Sequence, residues 1–217
     1  MDLRGRQPSA VLLDMDGTLV DTEPLWWHAV EQVAGRELGQ EDADHIHGQS
    51  VPATARWLAT TSGRTPGELE EALTRTFLDA VSRDLPVLEG AAELLETLFA
   101  RSVPVALVSA SPRSVVDVVM RALGRDLFAH SVAEGETART KPHADPYLAA
   151  AIELGVAISD CLVVEDSPPG VASGLAAGAQ VVLAPGADIG PTTLPRLTDL
   201  GELAQWLDTE PRLPAVN

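Results

Sequence analysis

Cysteine is nearly missing from this 217-residue chain, and the single Cys161 excludes an internal disulfide framework and any multi-cysteine zinc or iron–sulfur site. A reducing cytoplasm is the expected compartment. Basic residues are scarce too: 15 Lys plus Arg against 32 Asp plus Glu leave a formal net charge of −17. Such a chain is repelled by phosphate backbones and anionic lipid, so neither nucleic acid nor a membrane is an expected partner. Long apolar runs are also lacking. The first run, Ala10 to Leu13, stops at Asp14 and is too short for a signal or membrane segment. What is present is a globular composition, 45% apolar, enough for one domain with a sizeable core or a main domain carrying a small insertion.

Four short apolar runs end in turn formers or acids: Ala10 to Leu13, Val103 to Val108, Cys161 to Val164 and Ala179 to Leu183. They read as buried parallel strands. Helical spacing fills the intervals Ala91 to Phe99, Ser114 to Leu123, Tyr147 to Leu154 and Gly170 to Ala177, so the fold class is α/β, a three-layer α/β/α Rossmann-like core. Asp145-Pro146 offers an N-cap followed by proline, while Gly124, Gly155 and Gly178 stand where helices should stop. The segment 22–86 breaks the alternation, with amphipathic stretches Leu25 to Leu38, Val51 to Thr60 and Glu68 to Val81 and no strand. It reads as a helical cap inserted into a core made of 1–21 and 87–217, with both linkers near the end of the first strand, where open α/β sheets bind ligands. A last helix is expected over Leu200 to Leu207, followed by a frayed terminus.

Chemistry gathers at the strand ends. Residues i and i+2 of a strand face one side, so Asp14 and Asp16 can project to one point while Met15 turns away and Gly17 lets the chain turn. An isolated DxDG is more often a solvated turn. Ser109 ends the second run and Ser111-Pro112 opens the next helix, a setting for phosphate or for a plain N-cap. Lys141-Pro142 lies in a loop between a strand and a capped helix, where a lysine is usually a surface charge. Glu165-Asp166-Ser167 puts two more acids after the run Cys161 to Val164.

Taken together, DxDGT, then Ser109, then Lys141-Pro142, then Glu165-Asp166-Ser167 followed by Gly170 resemble the haloacid dehalogenase superfamily over residues 10 to 185. The insert directly after the first motif looks like the C1-type cap of the β-phosphoglucomutase and phosphoglycolate phosphatase group. The resemblance implies that Asp14 is the nucleophile, carrying the phosphoryl group as an aspartyl phosphate, and that Asp16 is the general acid and base. It implies further that Asp14, Asp166 and the main-chain carbonyl of Asp16 hold Mg²⁺, with Glu165 acting through a metal-bound water or behind the ligands. Ser109, the amide near Ala110, and Lys141 would bind phosphate. A carboxylate nucleophile fits neutral pH because it needs no deprotonating partner. Two like charges 4 Å apart repel by about 4 kcal/mol at an effective dielectric of 20, so a phosphate dianion among these acids requires the cation and Lys141.

The expected activity is a Mg²⁺-dependent phosphatase acting on a small, sugar-type phosphomonoester, as a monomer or weak dimer whose partner is a phosphorylated metabolite. The alternative is a phosphohexose mutase of the β-phosphoglucomutase kind. Mutases of that kind carry, by the same resemblance, a histidine in the first cap helix and an arginine in the cap loop, where this chain has Trp26 and Val51. That departure favours hydrolysis. His47 and Arg56, in and just after the loop His47 to Val51, are the cap residues expected to reach substrate, while Trp26, Trp27 and Trp57 read as cap packing.

Overall fold

The computed structural model describes residues 7–190 and 192–209; the terminus expected to fray lies largely outside them. Five parallel strands, β1 (Ala10–Leu13), β2 (Val105–Val108), β3 (His130–Val132), β4 (Cys161–Glu165) and β5 (Gln180–Leu183), form one sheet in the order β3-β2-β1-β4-β5. The four expected runs are all strands. The edge strand β3, implied by the Lys141 loop but not among those runs, is only three residues long and opens on His130-Ser131.

Alternation along β1 builds both layers of the core. Val11 and Leu13 face one apolar cluster with α4 (Ala91–Ala100), α5 (Arg113–Leu123) and α8 (Leu200–Thr209). Ala10 and Leu12 face the other with α6 (Asp145–Glu153) and α7 (Pro168–Ala177). Helices therefore cover both faces of the sheet, which is why β1 and β2 at its centre are apolar throughout. One expected cap is displaced: Asp145 is the first residue of α6 rather than its N-cap, and its carboxylate pairs with Arg139 at 2.8 Å instead. Among the described residues no helix is long and apolar enough to cross a membrane.

Between β1 and α4 run α1 (Glu23–Ala34), a short 3-10 helix over Gln40–His45, α2 (Val51–Ser62) and α3 (Pro66–Arg83). α3 starts at a capping box: the Thr65 hydroxyl accepts from the Glu68 amide, and Glu68 accepts from the Thr65 amide at 2.9 Å. α1 ends four residues before the expected Leu38, because Gly35 takes the left-handed conformation. The chain enters and leaves this helical segment side by side. Asp21 N–H donates to Pro86 O at 2.8 Å and Leu88 N–H to Leu19 O at 2.9 Å, immediately beside the end of β1. The helices' apolar side, with Trp26, Leu73 and Phe77, continues the cluster beneath the sheet.

Candidate active site

Register carries the carboxyl ends of the central strands to one level: Leu13 pairs with Leu107 of β2 and Val164 of β4. Asp14 follows directly and is buried, with 5% exposure. Its Oδ1 accepts from Lys141 Nζ at 2.6 Å, whereas its Oδ2 is buried without a hydrogen-bond partner. Met15 turns into the core, as alternation requires. Asp16 returns to the cleft side, where its Oδ2 accepts from the hydroxyls of Ser109 and Ser111, both at 3.0 Å, and its Oδ1 from Thr22 at 2.5 Å. Ser109 in turn accepts from the Ser111 amide at 2.9 Å, so Ala110 sits at the crest of a turn held at both ends.

The last residue of β4, Glu165, is fully buried, and both of its oxygens are engaged. Oε1 accepts from Lys141 Nζ at 2.5 Å and Tyr147 Oη at 2.7 Å; Oε2 accepts from the Asp166 amide and from the amide and hydroxyl of Ser167 at 3.1 to 3.3 Å. Lys141, whose side chain is 6% exposed, completes its three donors on Val108 O at 2.9 Å. The loop that carries it contains a cis Lys141–Pro142 bond. Glycines make room for the acids. A Cβ on Gly17, where φ is +80°, would lie 1.9 Å from Asp166 Oδ2, and one on Gly170 about 2.0 Å from the Glu165 carboxyl. No side chain fits at either place.

Asp14, Glu165 and Asp166 each offer a carboxylate oxygen within 4.8 Å of the others. Burial first, then the field of Glu165, pushes Asp14 well above the ordinary carboxylate range, against the pull of Lys141. The same two causes push Asp166 up to about 7, with Asp16 and Glu23 adding to them. Burial would lower Lys141, yet Asp14 and Glu165 more than offset it and the ammonium is held above its usual value. Negative charge is thus left over after Lys141 is counted. An all-oxygen donor set and the negative charge gathered on Asp14, Glu165 and Asp166 fit a hard divalent cation held by Asp14 and Asp166.

The expected cap residues His47 and Arg56 have different surroundings. His47 Nδ1 is 3.1 Å from Glu23 Oε1, its ring lies edge-on to Trp27 at 5.2 Å, and its neighbour Gly48 packs toward Ser167 and Pro169. Arg56 is exposed on α2, and its charge reaches Glu134 in the loop after β3. Trp26 donates to Ile46 O at 3.0 Å and meets Phe77 edge-on, while Trp57 stacks on His45 at 5.0 Å. Packing accounts for both rings. Two contributors escaped the sequence reading: Thr22, whose hydroxyl meets Asp16, and Tyr147, the only tyrosine, buried and bound to Glu165. Ser111, read as a phosphate setting or a plain N-cap, precedes the N-cap Pro112 and gives its hydroxyl to Asp16. A usable signal did exist for Lys141, which is the only lysine in the chain.

Comparison with known proteins agrees with this geometry. Hexitol phosphatase A of Escherichia coli K12 is 33% identical over 194 residues, covering 87% of each chain. A probable pseudouridine-5'-phosphatase of Drosophila melanogaster is 34% identical over 193 residues and 83% of each. Among solved structures, a HAD family hydrolase from Deinococcus radiodurans R1 with bound phosphate and sodium superposes with a TM-score of 0.67 at 32% identity, over 90% of this chain and 93% of that one. CbbY from Rhodobacter sphaeroides in complex with phosphate, at 24% identity and a TM-score of 0.81, shares the fold over 91% and 96%. The model for haloacid dehalogenase-like hydrolases matches residues 8–178, and the chain belongs to that family.

Proposed function

We propose that this enzyme hydrolyses a small sugar-type phosphomonoester with Mg²⁺ bound, through an aspartyl phosphate on Asp14, and that 22–86 acts as a cap over the site. The observation that carries the reading is the division of labour between two carboxylates two residues apart. Asp14 keeps Oδ2 free of any donor, while Asp16 is held by three hydroxyls. A carboxylate with an unpartnered oxygen can attack phosphorus. One bound by neutral donors can pass a proton and be steadied in either state.

Mg²⁺, held by Asp14 and Asp166, would neutralise the acids and the non-bridging phosphate oxygens. Lys141 cancels part of the Asp14 charge and would hold the dianion near it. Asp14 attacks phosphorus as the ester bond breaks, and Asp16 gives the departing alkoxide its proton. Asp16 then takes a proton from water, which attacks the acyl phosphate and releases inorganic phosphate and free Asp14. Ser109 and the turn at Ala110 face this exchange beside Asp16, where donors meet developing charge. Glu165 holds Lys141 and the Asp166-Ser167 backbone in place.

The phosphatase names of the relatives at 33% and 34% identity support this reading. The mutase alternative draws no support from the cap, since Trp26 and Val51 are both buried in its apolar interior. Release of inorganic phosphate from p-nitrophenyl phosphate and from a panel of sugar phosphates, dependent on Mg²⁺ and abolished by EDTA, is the expected result. Isomerisation of β-glucose 1-phosphate faster than phosphate release, with a trace of glucose 1,6-bisphosphate present, would replace hydrolysis by the mutase.

A further inference from the structure

Behind the carboxylates stands a phenol to which the proposed chemistry gives no part. Tyr147 lies in the first turn of α6 and is fully buried. Its ring belongs to the apolar layer that Leu12, Ala106 and Val108 form on that face of the sheet, and its hydroxyl reaches the end of β4, where it donates to Glu165 Oε1 at 2.7 Å. Lys141 Nζ donates to the same oxygen at 2.5 Å and stands 5.3 Å from the centre of the Tyr147 ring. Burial, then the negative charge of Glu165 and Asp14, hold the phenol well above its ordinary value, so it stays a donor. A phenylalanine would fill the apolar layer as well. Packing thus accounts for the ring and not for the hydroxyl.

Counting donors shows what the hydroxyl changes. Lys141 has three ammonium hydrogens and all are engaged, on Asp14 Oδ1 at 2.6 Å, on Val108 O at 2.9 Å and on Glu165 Oε1. A phosphate dianion over Asp14 can take a bond from this lysine only where one of those partners gives way. Val108 O is a neutral acceptor, whereas Glu165 is a fully buried carboxylate and grips the ammonium harder. Its other oxygen is anchored by the Asp166 amide and by the amide and hydroxyl of Ser167, so the carboxylate cannot turn away to another donor. A carboxylate oxygen has room for two donors, and Tyr147 fills the second place on Oε1. Without that hydroxyl, Lys141 is left as the one donor on a buried anionic oxygen and is drawn toward it, away from Asp14.

Resting on the phosphatase reading, we propose that Tyr147 is a positioning residue: its hydroxyl shares Glu165 with Lys141 and so keeps the ammonium beside Asp14, available to the phosphoryl oxygens. It touches neither substrate nor cation itself. The link runs from Tyr147 through Glu165 Oε1 to Lys141, while the cation is assigned to Asp14 and Asp166. Phosphate binding therefore depends on the hydroxyl, and Mg²⁺ binding does not.

The test is Tyr147→Phe on the full chain, which removes one oxygen and keeps the ring, with p-nitrophenyl phosphate as substrate, inorganic phosphate as inhibitor and Mg²⁺ titrated separately. KM and the inhibition constant for phosphate are each expected to rise at least about threefold, as for lost ground-state binding, while the Mg²⁺ concentration giving half the maximal rate changes by less than about twofold. A smaller rise in either phosphate constant overturns the proposal. So does a larger rise in the Mg²⁺ requirement, which marks a general loosening of the site. If Tyr147→Phe does not fold, the unaltered chain carries the test: tyrosine labelled with ¹³C at the ring carbon bearing the hydroxyl gives a single resonance, because the sequence has one tyrosine. Saturating inorganic phosphate added to the Mg²⁺-loaded protein should move that resonance, and an unmoved resonance overturns the proposal. Each of these failures leaves the phosphatase reading intact so long as the unaltered protein turns over p-nitrophenyl phosphate; no turnover at all overturns that reading and this one with it.

Discussion

Lys141 meets two acids at once, and that arrangement sets what single substitutions do at this site. Removing one partner of a buried charge group typically costs about 3 to 5 kcal/mol, because the charges left behind have no compensation. Lys141→Met leaves Asp14 and Glu165 facing each other, so its melting temperature should fall by roughly 10 °C, at about 2 to 4 °C per kcal/mol for a chain of this size. Scanning calorimetry in EDTA reads this directly, and an unchanged melting point would show that the ammonium is not part of the group. Asp14→Asn should behave oppositely in stability. Its carboxyl is raised by burial and by Glu165, so the neutral amide should melt no lower than the unaltered chain without metal, while phosphate release falls about a thousandfold or more. Most residues of this cluster were legible in the sequence because each ends a strand, at Asp14, Ser109 and Glu165. Thr22 and Tyr147 were not, and Ser111 was read only as a helix start, since nothing local says that a hydroxyl meets an acid up to 95 positions away.

At the scale of elements, the strands were readable from Val-rich runs, and helix starts and stops from proline and glycine. What could not be read is how closely two elements approach. Gly170 looks like part of a run of small residues in α7, yet its missing side chain is what lets the Glu165 carboxyl reach back against the first turn of the helix. Gly174, one turn on, lets α7 settle on Val163 and Val181 at about 3 Å from where a Cβ would stand. Gly178 has φ of +87° but nothing within 4 Å. The two kinds of glycine separate cleanly by mutation. Gly178→Ala should cost about 1 to 2 kcal/mol, the strain of the left-handed backbone, and retain activity. Gly170→Ala must displace either the helix or a fully buried carboxylate holding Lys141, so phosphate release should drop at least a hundredfold with a larger fall in melting temperature. Equal, small losses for both would mean that α7 yields without disturbing Glu165.

The whole molecule carries a net charge of −17, and its most crowded acids are the ones that face the proposed cation. Asp14 and Asp166 have folded values above their unfolded value of 3.8, with Asp166 at about 7. The native state therefore binds more protons than the unfolded chain between those limits, and stability falls as pH rises through that window. For Asp166 the contribution is complete below about pH 4 and lost by about pH 7 and above, and Asp14 acts in the same direction. A divalent cation reverses the trend, because it binds the deprotonated acids and displaces their protons. The Mg²⁺-induced rise in melting temperature should thus be small at pH 5 and grow to roughly 5 to 10 °C at pH 7.5, as expected for an ion at about a hundred times its dissociation constant. Screening of the net charge also stabilises such an acidic chain, so NaCl at matched ionic strength supplies the reference. The excess of Mg²⁺ over NaCl is the quantity read. Asp166→Asn should remove most of that excess together with its pH dependence, and a gain that is equal at both pH values, or that NaCl reproduces in full, would place the cation elsewhere.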